Sequence, residues 1–543
     1  MKGLLLILTI SVTETLCAQS FEWARTGSGI GQDAGQRVTA DKYGNIYVTG
    51  YFSGEAEFSG QDYQGNGIFD IFLAKYSGSG DLLWLKYAGS AQNDAGYGIA
   101  IDTSGYIYVT GYFTSVAAFG ENASLMHLSS NGNTDIFLAK YDADGNLIWA
   151  KSAGGVGEDK AFNLVIDQFN NISITGFFSY TSLFGGCAVV SNGSTDAFIA
   201  QYDTAGNCRW AQSLGSSGLD KSFGIAVDSS GNSYITGFFY YAALLSNSSI
   251  VLEGDGLSSD IFICKYSPAG DVLLAERVGG PYNDASFGIT LDKDKAIFIT
   301  GYFLEEIDFG DCHLQNYRYN DIFIVKFDST FNCEWANHEG GIHLDMGLDI
   351  TVDRHGNVYV TGIYDSLGYF GRDTVFSVNY YDMFLCKYNN KGILLWMKSA
   401  GGNGGDFSKA VHVRSDGVIY LTGYYKYTCA FDGIRVPLSK EADIFVTKLS
   451  QPVGMEHPEP QPMPAISVYP NPNAGEFYID APFPIDDGQT VVSVFDISGK
   501  IILQQELRDN VSRAIALRQP AGVYIVKVES RTAIHSKRIV ITQ

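Results

Sequence analysis

Seven aspartates recur at the same place in an internal repeat, and a ring of carboxylates could hold a cation or a sugar. They usually follow a Gly-rich run and are Asp33, Asp94, Asp159, Asp220, Asp284, Asp345 and Asp406. The alternative is structural, with each carboxylate accepting hydrogen bonds from backbone N–H groups of its loop and bracing adjacent repeats. An asymmetric ligand seldom needs seven identical groups, so the repetition favours the structural role.

A second oxygen-rich segment, with Asp142, Asp144 and Asn146, resembles the start of a calcium loop. Calcium takes six or more oxygens, and the downstream Glu of such a loop is absent. Sister repeats carry other turn residues here, which favours a plain hairpin. None of the eight histidines has a metal-ligand spacing, and no G-x-S-x-G, Walker or Rossmann pattern occurs. The sequence therefore assigns no metal site, no cofactor and no catalytic residue.

Extra aromatic residues after the second strand of some repeats are the predicted ligand surface. Most repeats carry two aromatic residues there, which core packing explains. Four further tyrosines depart from the repeat, namely Tyr180, Tyr240, Tyr241 and Tyr427. Their rings could stack on sugars or on apolar side chains. For any single one of them, packing in the core or at a strand edge is the alternative.

Cysteine usage predicts two disulfide bonds. Cys187 and Cys312 share one column of the repeat, Cys208 and Cys333 share another, and only the third and fifth repeats have both. The coincidence predicts the pairs Cys187–Cys208 and Cys312–Cys333. The other cysteines after residue 18 are predicted to be free, with the first two buried: Cys264, Cys386 and Cys429.

A repeat of about 61 residues, stretched to 64 or 65 in two places, must position all of these side chains. A Thr-Gly pair marks it at Thr49, Thr110, Thr175, Thr236, Thr300, Thr361 and Thr422. The Asp that opens a D-I-F-like run marks it at Asp70, Asp135, Asp196, Asp260, Asp321, Asp382 and Asp443. A Trp marks six copies, and Leu274 replaces it in the other. Seven units of this size, each too small for a core of its own, indicate a β-propeller.

Each repeat contains four strand-like runs, which we call A to D in chain order, with turn clusters between them. A D-type run at 21–25 has no earlier partners, and the last repeat ends at Leu449 after its C-type run. Seven complete units result only if 21–25 joins the last repeat, which also covers an exposed sheet edge. The sequence predicts an all-β protein whose residues 19–450 are a seven-bladed β-propeller closed by the N-terminal strand.

The connections between strands differ in their variability. The A–B and C–D turns are short and lie on one face of a propeller, and the D–A and B–C connections lie on the other. Long length variation occurs only in B–C connections, at 114–134 and 240–259. Because loops carry function and tolerate insertion, the face with the D–A and B–C loops is the predicted binding face.

The repeats resemble the bacterial β-propeller repeats of the SBBP type. The resemblance covers residues 21–450 and is carried by the GIAID…GNIYVTG…DIFLAKYD…W pattern. It implies a propeller and no particular activity, since that family has no single one.

Charge and the flanking segments limit the class of protein. A formal charge of −23 disfavours nucleic acid as a partner. Residues 1–18 read as a secretory signal peptide cleaved after Ala18, with acylation of Cys17 as the alternative. No other apolar run approaches membrane length. Residues 451–465 are a predicted Pro-rich linker.

Residues 466–543 show period-two alternation and predict a small antiparallel β-sandwich. They resemble the type A C-terminal sorting domain of the type IX secretion system. The matching residues are Tyr469, Pro470, Asn471, Pro472, Gly475, Val494, Asp496, Gly499, Lys500, Gly522, Val523, Tyr524 and Lys537. The resemblance implies a Gram-negative envelope, export across the outer membrane by the type IX machinery, and release or surface attachment.

Together these features predict a secreted or cell-surface propeller that works by binding a glycan or a surface or extracellular protein. One alternative is a polysaccharide-acting lyase or hydrolase whose acid and base come from single repeats. Another is a structural surface-layer component, which would self-associate and bind no soluble ligand.

Overall fold

Short runs of β-branched and aromatic residues, each ended by a turn, form strands throughout residues 19–450. The computed structural model describes residues 19–29, 31–254, 256–450, 467–469, 475–480, 490–496, 500–507, 513–529 and 534–541. The chain divides at residue 453 into two parts, each with its own internal contacts. The signal peptide and the linker predicted from the sequence lie outside the described residues.

The strands follow one another with the same order in every repeat. The N-terminal segment and the first two repeats supply β1 (Ser20–Gly29), β2 (Ala34–Ala40), β3 (Ile46–Phe52), β4 (Glu55–Phe58), β5 (Gln61–Gln64), β6 (Asp70–Tyr76), β7 (Leu82–Ala88), β8 (Ala95–Ile101), β9 (Ile107–Phe113), β10 (Val116–Phe119), β11 (Met126–Ser129), β12 (Asp135–Tyr141) and β13 (Leu147–Gly155). The third and fourth repeats supply β14 (Lys160–Ile166), β15 (Ile172–Phe178), β16 (Thr181–Phe184), β17 (Cys187–Val190), β18 (Asp196–Tyr202), β19 (Cys208–Gly215), β20 (Lys221–Val227), β21 (Ser233–Phe239), β22 (Ala242–Leu245), β23 (Val251–Glu253), β24 (Asp260–Tyr266) and β25 (Val272–Val278). The last three supply β26 (Ala285–Leu291), β27 (Ile297–Phe309), β28 (Cys312–Phe327), β29 (Cys333–Gly341), β30 (Met346–Val352), β31 (Val358–Phe370), β32 (Asp373–Tyr388), β33 (Leu394–Ala400), β34 (Phe407–Val413), β35 (Ile419–Lys426), β36 (Ala430–Phe431), β37 (Ile434–Arg435) and β38 (Ala442–Ser450). A short 3₁₀ turn, Asn122–Ser124, lies between β10 and β11.

These strands make seven four-stranded antiparallel units, numbered here by repeat. The units are β2-β3-β6-β7, β8-β9-β12-β13, β14-β15-β18-β19, β20-β21-β24-β25, β26-β27-β28-β29, β30-β31-β32-β33 and β34-β35-β38-β1. The first strand of every unit contacts the first strands of the units before and after it, and β34 of unit 7 contacts β2 of unit 1. Buried apolar side chains of adjacent units form shared clusters, so each core lies between neighbouring sheets.

The N-terminal strand occupies the fourth place in unit 7, as its D-type sequence predicts. Strand β1 pairs with β38 so that Trp23 is opposite Lys448 and Thr26 is opposite Phe445. The Thr447 hydroxyl donates to the Trp23 carbonyl at 2.6 Å across 424 residues of chain. Strand β1 also pairs with β4 of unit 1, so it is an inner strand with partners on both sides.

The A–B and C–D turns are closed by their own side chains. In the first A–B turn, Asp41 Oδ1 accepts from the N–H groups of Tyr43 and Asn45, both at 2.9 Å. In the C–D turn that resembles a calcium loop, Asp142 Oδ1 accepts from the N–H groups of Asp144 at 3.0 Å and Asn146 at 2.8 Å. The carboxylate therefore serves the hairpin, as the plain-turn interpretation predicted.

The B–C connections differ from the loops predicted for them, because they contain β-structure that reaches the preceding unit. Strand β16 pairs with β13, β22 with β19, and β31 with β29. Isolated bridges make the same link where no longer pairing forms, at Gly89–Ala118, Gly279–Asp308 and Gly401–Ala430. With the β1–β4 pairing, all seven unit boundaries carry this backbone link.

At the boundary between units 4 and 5, the large and the small residue of a recurring contact are interchanged. In five places a Trp packs on the C–D turn glycine of the next unit, in the pairs Trp23–Gly80, Trp84–Gly145, Trp149–Gly206, Trp210–Gly270 and Trp335–Gly392. Where Leu274 replaces the Trp, the turn position is Phe331, which has φ +69°. Both residues belong to one hydrophobic cluster, in which Phe331 is buried. At this boundary the large aromatic ring is therefore on the turn, and the smaller side chain is on the strand.

Both predicted disulfide bonds are present, Cys187–Cys208 and Cys312–Cys333. Each links the B–C hairpin of its unit to the start of the fourth strand, and each closes 21 residues of chain. By loop-closure entropy alone, a crosslink of this size stabilises a fold by about 3 kcal/mol. The other three cysteines of the described part are buried free thiols, as predicted for the first two: Cys264, Cys386 and Cys429.

The C-terminal part has two described sheets. Its strands are β39 (Ser467–Tyr469), β40 (Glu476–Asp480), β41 (Thr490–Asp496), β42 (Ile501–Leu507), β43 (Arg513–Ala516), β44 (Gly522–Glu529) and β45 (Ile534–Ile541). The sheets have the orders β39-β40-β43 and β42-β41-β44-β45. Phe477 and Ile515 of the first and Val492, Val494 and Val526 of the second share one buried cluster.

Candidate functional site

The seven loop aspartates are fully buried, and in every unit one carboxylate oxygen accepts from the backbone N–H twenty residues later. In five of the seven, all but Asp33 and Asp406, the other oxygen accepts from the backbone N–H four residues earlier. For Asp94 these donors are Ser90 at 2.5 Å and Thr114 at 2.7 Å. The Asp94 N–H in turn donates to the carbonyl of Phe69 in the preceding unit at 3.0 Å. These contacts brace loops and adjacent units, which is the structural role predicted as the alternative to a ligand site.

A second set of buried aspartates lies beside the first, at equivalent positions in the seven third strands. Burial raises the pKa of Asp382 to about 8, and the charge of Asp406 adds to this effect. Burial likewise raises the pKa of Asp406 to about 7 and that of Asp33 to about 8, the latter with a contribution from Asp443. Each boundary therefore holds two nearby carboxyl groups that resist being charged together.

These shifts predict that the protein is less stable in alkaline solution. A carboxyl group whose folded pKa exceeds its unfolded value of about 4 contributes stability below that value and loses it as the pH rises through the folded pKa. We expect the Tm of residues 19–450 to fall between pH 6 and pH 9, measured by circular dichroism at constant ionic strength. Asp382→Asn should reduce the fall, because Asn cannot ionise. A Tm that is flat or rises over this range contradicts the assignment.

Three of the four predicted tyrosines occupy a column with left-handed backbone. The column is Gly54, Ser115, Tyr180, Tyr241, Glu305, Ser366 and Tyr427, and φ lies between 53° and 64° in all seven. Left-handed backbone costs a residue with a Cβ about 1–2 kcal/mol. The side chains of Tyr180, Tyr241 and Tyr427 are 66%, 47% and 43% exposed. Because all seven units share this conformation, it belongs to the repeat, whereas the exposed aromatic rings are particular to these three units.

The structure does not bring the four predicted tyrosines together. Tyr180 and Tyr241 lie in the neighbouring units 3 and 4, against Gly157 and Gly218 of the D–A loops. Tyr240 is half-buried and packs edge-on against Phe238, with ring centroids 6.0 Å apart, which is the strand-edge role. Tyr427 lies in unit 7, away from the other three in the order of units.

Tyr427 lines a cavity of about 440 Å³ that units 6, 7 and 1 form together, which we call the aromatic cavity. Its rings are Tyr51, Tyr380, Tyr381, Phe407, Tyr424 and Tyr427, with Gln32 and Lys426 among the polar lining. Phe407 and Tyr424 stack with centroids 4.8 Å apart, and Tyr381 meets Phe407 edge-on at 5.5 Å. The D–A and B–C connections supply most of this wall, so it lies on the predicted binding face.

Aromatic packing continues around the first strands of the other units. Phe162 lies 5.3 Å from Tyr97 and 5.0 Å from Phe223, which lies 5.1 Å from Phe287, all as centroid distances. These residues hold the same position in units 2 to 5, where unit 7 has Lys409. The first strands of units 2 to 5 therefore carry a connected row of aromatic rings.

Most of the cavity lining escaped the sequence analysis. Tyr381 directly precedes the repeated Asp382, where the other repeats have Phe69, Thr134, Thr195, Ser259, Asn320 and Ala442. Together with Tyr380, this departure from the repeat was a usable signal. Tyr51 and Tyr424 gave no such signal, because an aromatic residue is common at their position in the repeat.

The described residues contain no group of three or more His, Cys, Asp or Glu side chains placed to hold a metal ion. Within the same residues, no helix is long and apolar enough to cross a membrane.

Part of the predicted sorting motif lies within the described residues. Tyr524 is buried and its hydroxyl donates to the Pro520 carbonyl at 3.0 Å. The Lys500 N–H donates to Asp496 Oδ1 at 3.0 Å. Tyr469, Gly522 and Lys537 lie in β39, β44 and β45. Val494 and Val523 lie in β41 and β44, and Gly475 is also described. Four motif residues lie outside the described residues, namely Pro470, Asn471, Pro472 and Gly499.

Two family models match the chain. The beta-propeller repeat, SBBP, matches residues 83–112 and 209–237. The secretion system C-terminal sorting domain matches residues 467–542.

Known proteins match over limited regions. An uncharacterized WD repeat-containing protein of Acanthamoeba polyphaga mimivirus is 22% identical over 366 residues, which are 55% of this chain and 26% of that protein. The regulatory protein FlaEY of Caulobacter vibrioides is 28% identical over 168 residues, 30% of this chain and 17% of that protein. The matched regions are thus about a quarter or less of these relatives.

Two solved structures overlap most of the chain with low similarity. A puromycin hydrolase has a TM-score of 0.40 and 11% identity, covering 83% of this chain and 58% of that one. A duf4221 family member from Bacteroides vulgatus has a TM-score of 0.32 and 8% identity, covering 80% and 98%. The sorting-domain match indicates type IX export to the cell surface or beyond. The chain therefore carries SBBP-type β-propeller repeats followed by a type IX secretion-system sorting domain, the two families that its sequence resembles.

Proposed function

We propose that residues 19–450 are a seven-bladed β-propeller and that residues 466–543 are a β-sandwich through which the type IX machinery exports it. Three observations support the propeller: the seven four-stranded units, the cyclic contacts of their first strands, and the β1–β38 pairing. The shared cluster of the two C-terminal sheets supports the sandwich.

We further propose that the exported propeller binds a glycan in the aromatic cavity. The observation that carries this is the lining of five tyrosines and one phenylalanine, with Tyr427 held in a left-handed conformation. Each tyrosine offers a ring face for the C–H side of a sugar and a hydroxyl for its polar rim. A volume of about 440 Å³ lies in the range of small-ligand sites.

Replacing Tyr427 by Gly separates binding from folding. Glycine adopts φ +64° without strain, and the Tyr427 N–H that donates to Ser439 Oγ at 2.6 Å remains. We expect Tyr427→Gly to keep or raise the Tm and to weaken binding of the best glycan from an array at least tenfold, measured by titration calorimetry. Ser366→Gly, in the same column outside the cavity, is the matched control and should leave binding unchanged.

Other outcomes distinguish the alternatives. Equal affinity in Tyr427→Gly and the wild-type protein contradicts binding in this cavity. Release of reducing sugar or of unsaturated product from the bound glycan would make the protein a polysaccharide-acting enzyme. Ordered self-association without glycan binding would make it a surface-layer component.

A further inference from the structure

Lys409 is the exception in an otherwise uncharged column of the inner strands. The corresponding residues are Gln36, Tyr97, Phe162, Phe223, Phe287 and Leu348. Lys409 Nζ lies 5.0 Å from the ring centroid of Phe407 and 5.8 Å from that of Tyr424. Both rings line the aromatic cavity. The ammonium group thus lies against two stacked rings of the cavity wall, although Lys409 is not itself a lining residue.

Other cations in this region have acidic partners. Arg37 Nη1 pairs with Asp349 at 2.8 Å, and Lys426 Nζ pairs with Glu441 at 3.1 Å. Within the described part of the chain, no carboxylate lies within 4.0 Å of Lys409 Nζ. Burial lowers the pKa of Lys409 to about 8, so the group is still mostly protonated at neutral pH.

An unpaired, partly buried ammonium is costly in a protein that has 59 acidic and 36 basic residues. Contact with aromatic faces offsets part of this cost, but a carboxylate offsets more. The lysine is therefore better explained by an anion that arrives with the ligand.

We propose that the glycan bound in the aromatic cavity is acidic and that a uronate carboxylate pairs with Lys409. This rests on the proposed function, since it names the class of glycan for the same cavity. The neutral faces of the sugar stack on the tyrosines, and the carboxylate supplies the negative charge that Lys409 lacks beside these rings. Long-range repulsion from the net charge of −23 is screened at physiological salt, and a partly buried pair is screened much less.

The test compares tetragalacturonate with the neutral tetrasaccharide cellotetraose by titration calorimetry on the full chain. We expect the wild-type protein to prefer the uronate at least tenfold and Lys409→Met to lose that preference. Lys265→Met is the matched control, because Lys265 Nζ also lies over a ring, 5.1 Å from Tyr234, in a third strand outside the cavity. It should leave both affinities unchanged.

Proton uptake gives a readout that a purely structural role would not change. A carboxylate beside Lys409 raises the pKa of the lysine, so uronate binding at pH 8.5 should take up a fraction of a proton. Titrations in buffers of different ionisation enthalpy measure this uptake, which Lys409→Met should abolish.

The outcomes separate the two proposals. Binding of cellotetraose as tightly as tetragalacturonate, with loss of both in Tyr427→Gly, overturns the acidic ligand and keeps the glycan site. A uronate preference that persists in Lys409→Met overturns the assignment of Lys409. Binding of neither probe overturns the uronate and counts against the glycan site as well.

Discussion

A chain that lacks residues 19–29 is expected to lose the cooperative thermal transition of the propeller. Strand β1 buries Phe21 and Trp23 and pairs with both β38 and β4. Each buried aromatic side chain accounts for about 3–5 kcal/mol on truncation, against a total stability of about 5–15 kcal/mol for a typical domain. Circular dichroism melts and calorimetry should show a broad transition or none, with exposed apolar surface that binds a hydrophobic dye.

A circular permutant is the matched control for this deletion. Ser20 lies opposite Ser450 in the β1–β38 ladder, so a two-residue Asn-Gly turn can join residue 450 to residue 20. The permutant 30–450 followed by Asn-Gly and 20–29 keeps every strand in place and should melt as the wild-type protein does. A deletion variant that melts with wild-type cooperativity would show that the ring does not depend on this strand.

The exchange of Leu274 and Phe331 should behave as a coupled pair. Leu274→Trp adds volume to a filled cluster and should cost about 1–3 kcal/mol. Phe331→Gly removes a buried ring, at about 3–5 kcal/mol, and relieves a φ of +69°, which returns about 1–2 kcal/mol. The double variant creates the Trp–Gly pair that five other boundaries have. We therefore expect it to be at least about 2 kcal/mol more stable than the sum of the single changes predicts.

Chemical denaturation of the four proteins measures this coupling directly. The mirror exchange at another boundary, Trp335→Leu with Gly392→Phe, should also be more stable than the sum of its single changes. If the changes in unfolding free energy of the single variants add to within about 0.5 kcal/mol at both boundaries, the strand residue and the turn residue are not coupled, which contradicts the prediction.

The sequence predicted those features that depend on local chemistry or on counting. The Asp-x-x-Gly-Asn turns form because Asp41 and its equivalents close their own hairpins. The place of the N-terminal strand followed from counting, because a D-type run precedes the first repeat and the last repeat lacks one. The disulfide partners followed from two positions of the repeat at which the same two repeats, the third and the fifth, have cysteine.

Features that depend on several repeats at once were not predicted. The short β4 pairs with β5 of its own repeat and with β1 of another unit, and its own four residues carry little signal. The aromatic cavity needs Tyr51, Tyr381 and Tyr424 from three units. Tyr51 and Tyr424 look ordinary in their own repeats, and the departure at Tyr381 does not by itself show that the three come together. The four chosen tyrosines were selected as departures from the repeat, and only Tyr427 lies in the cavity.

The pairing of the first strand with the last has a consequence for the timing of biogenesis. During synthesis at about 5–20 residues per second, β1 emerges roughly 20 to 90 s before its partner β38 exists. Until then β1 lacks this partner, so unit 7 cannot be completed. The sorting sequence follows within a few tens of residues, so completion of the ring and appearance of the export address are nearly simultaneous. The propeller therefore cannot complete its fold much earlier than the sorting domain is synthesised.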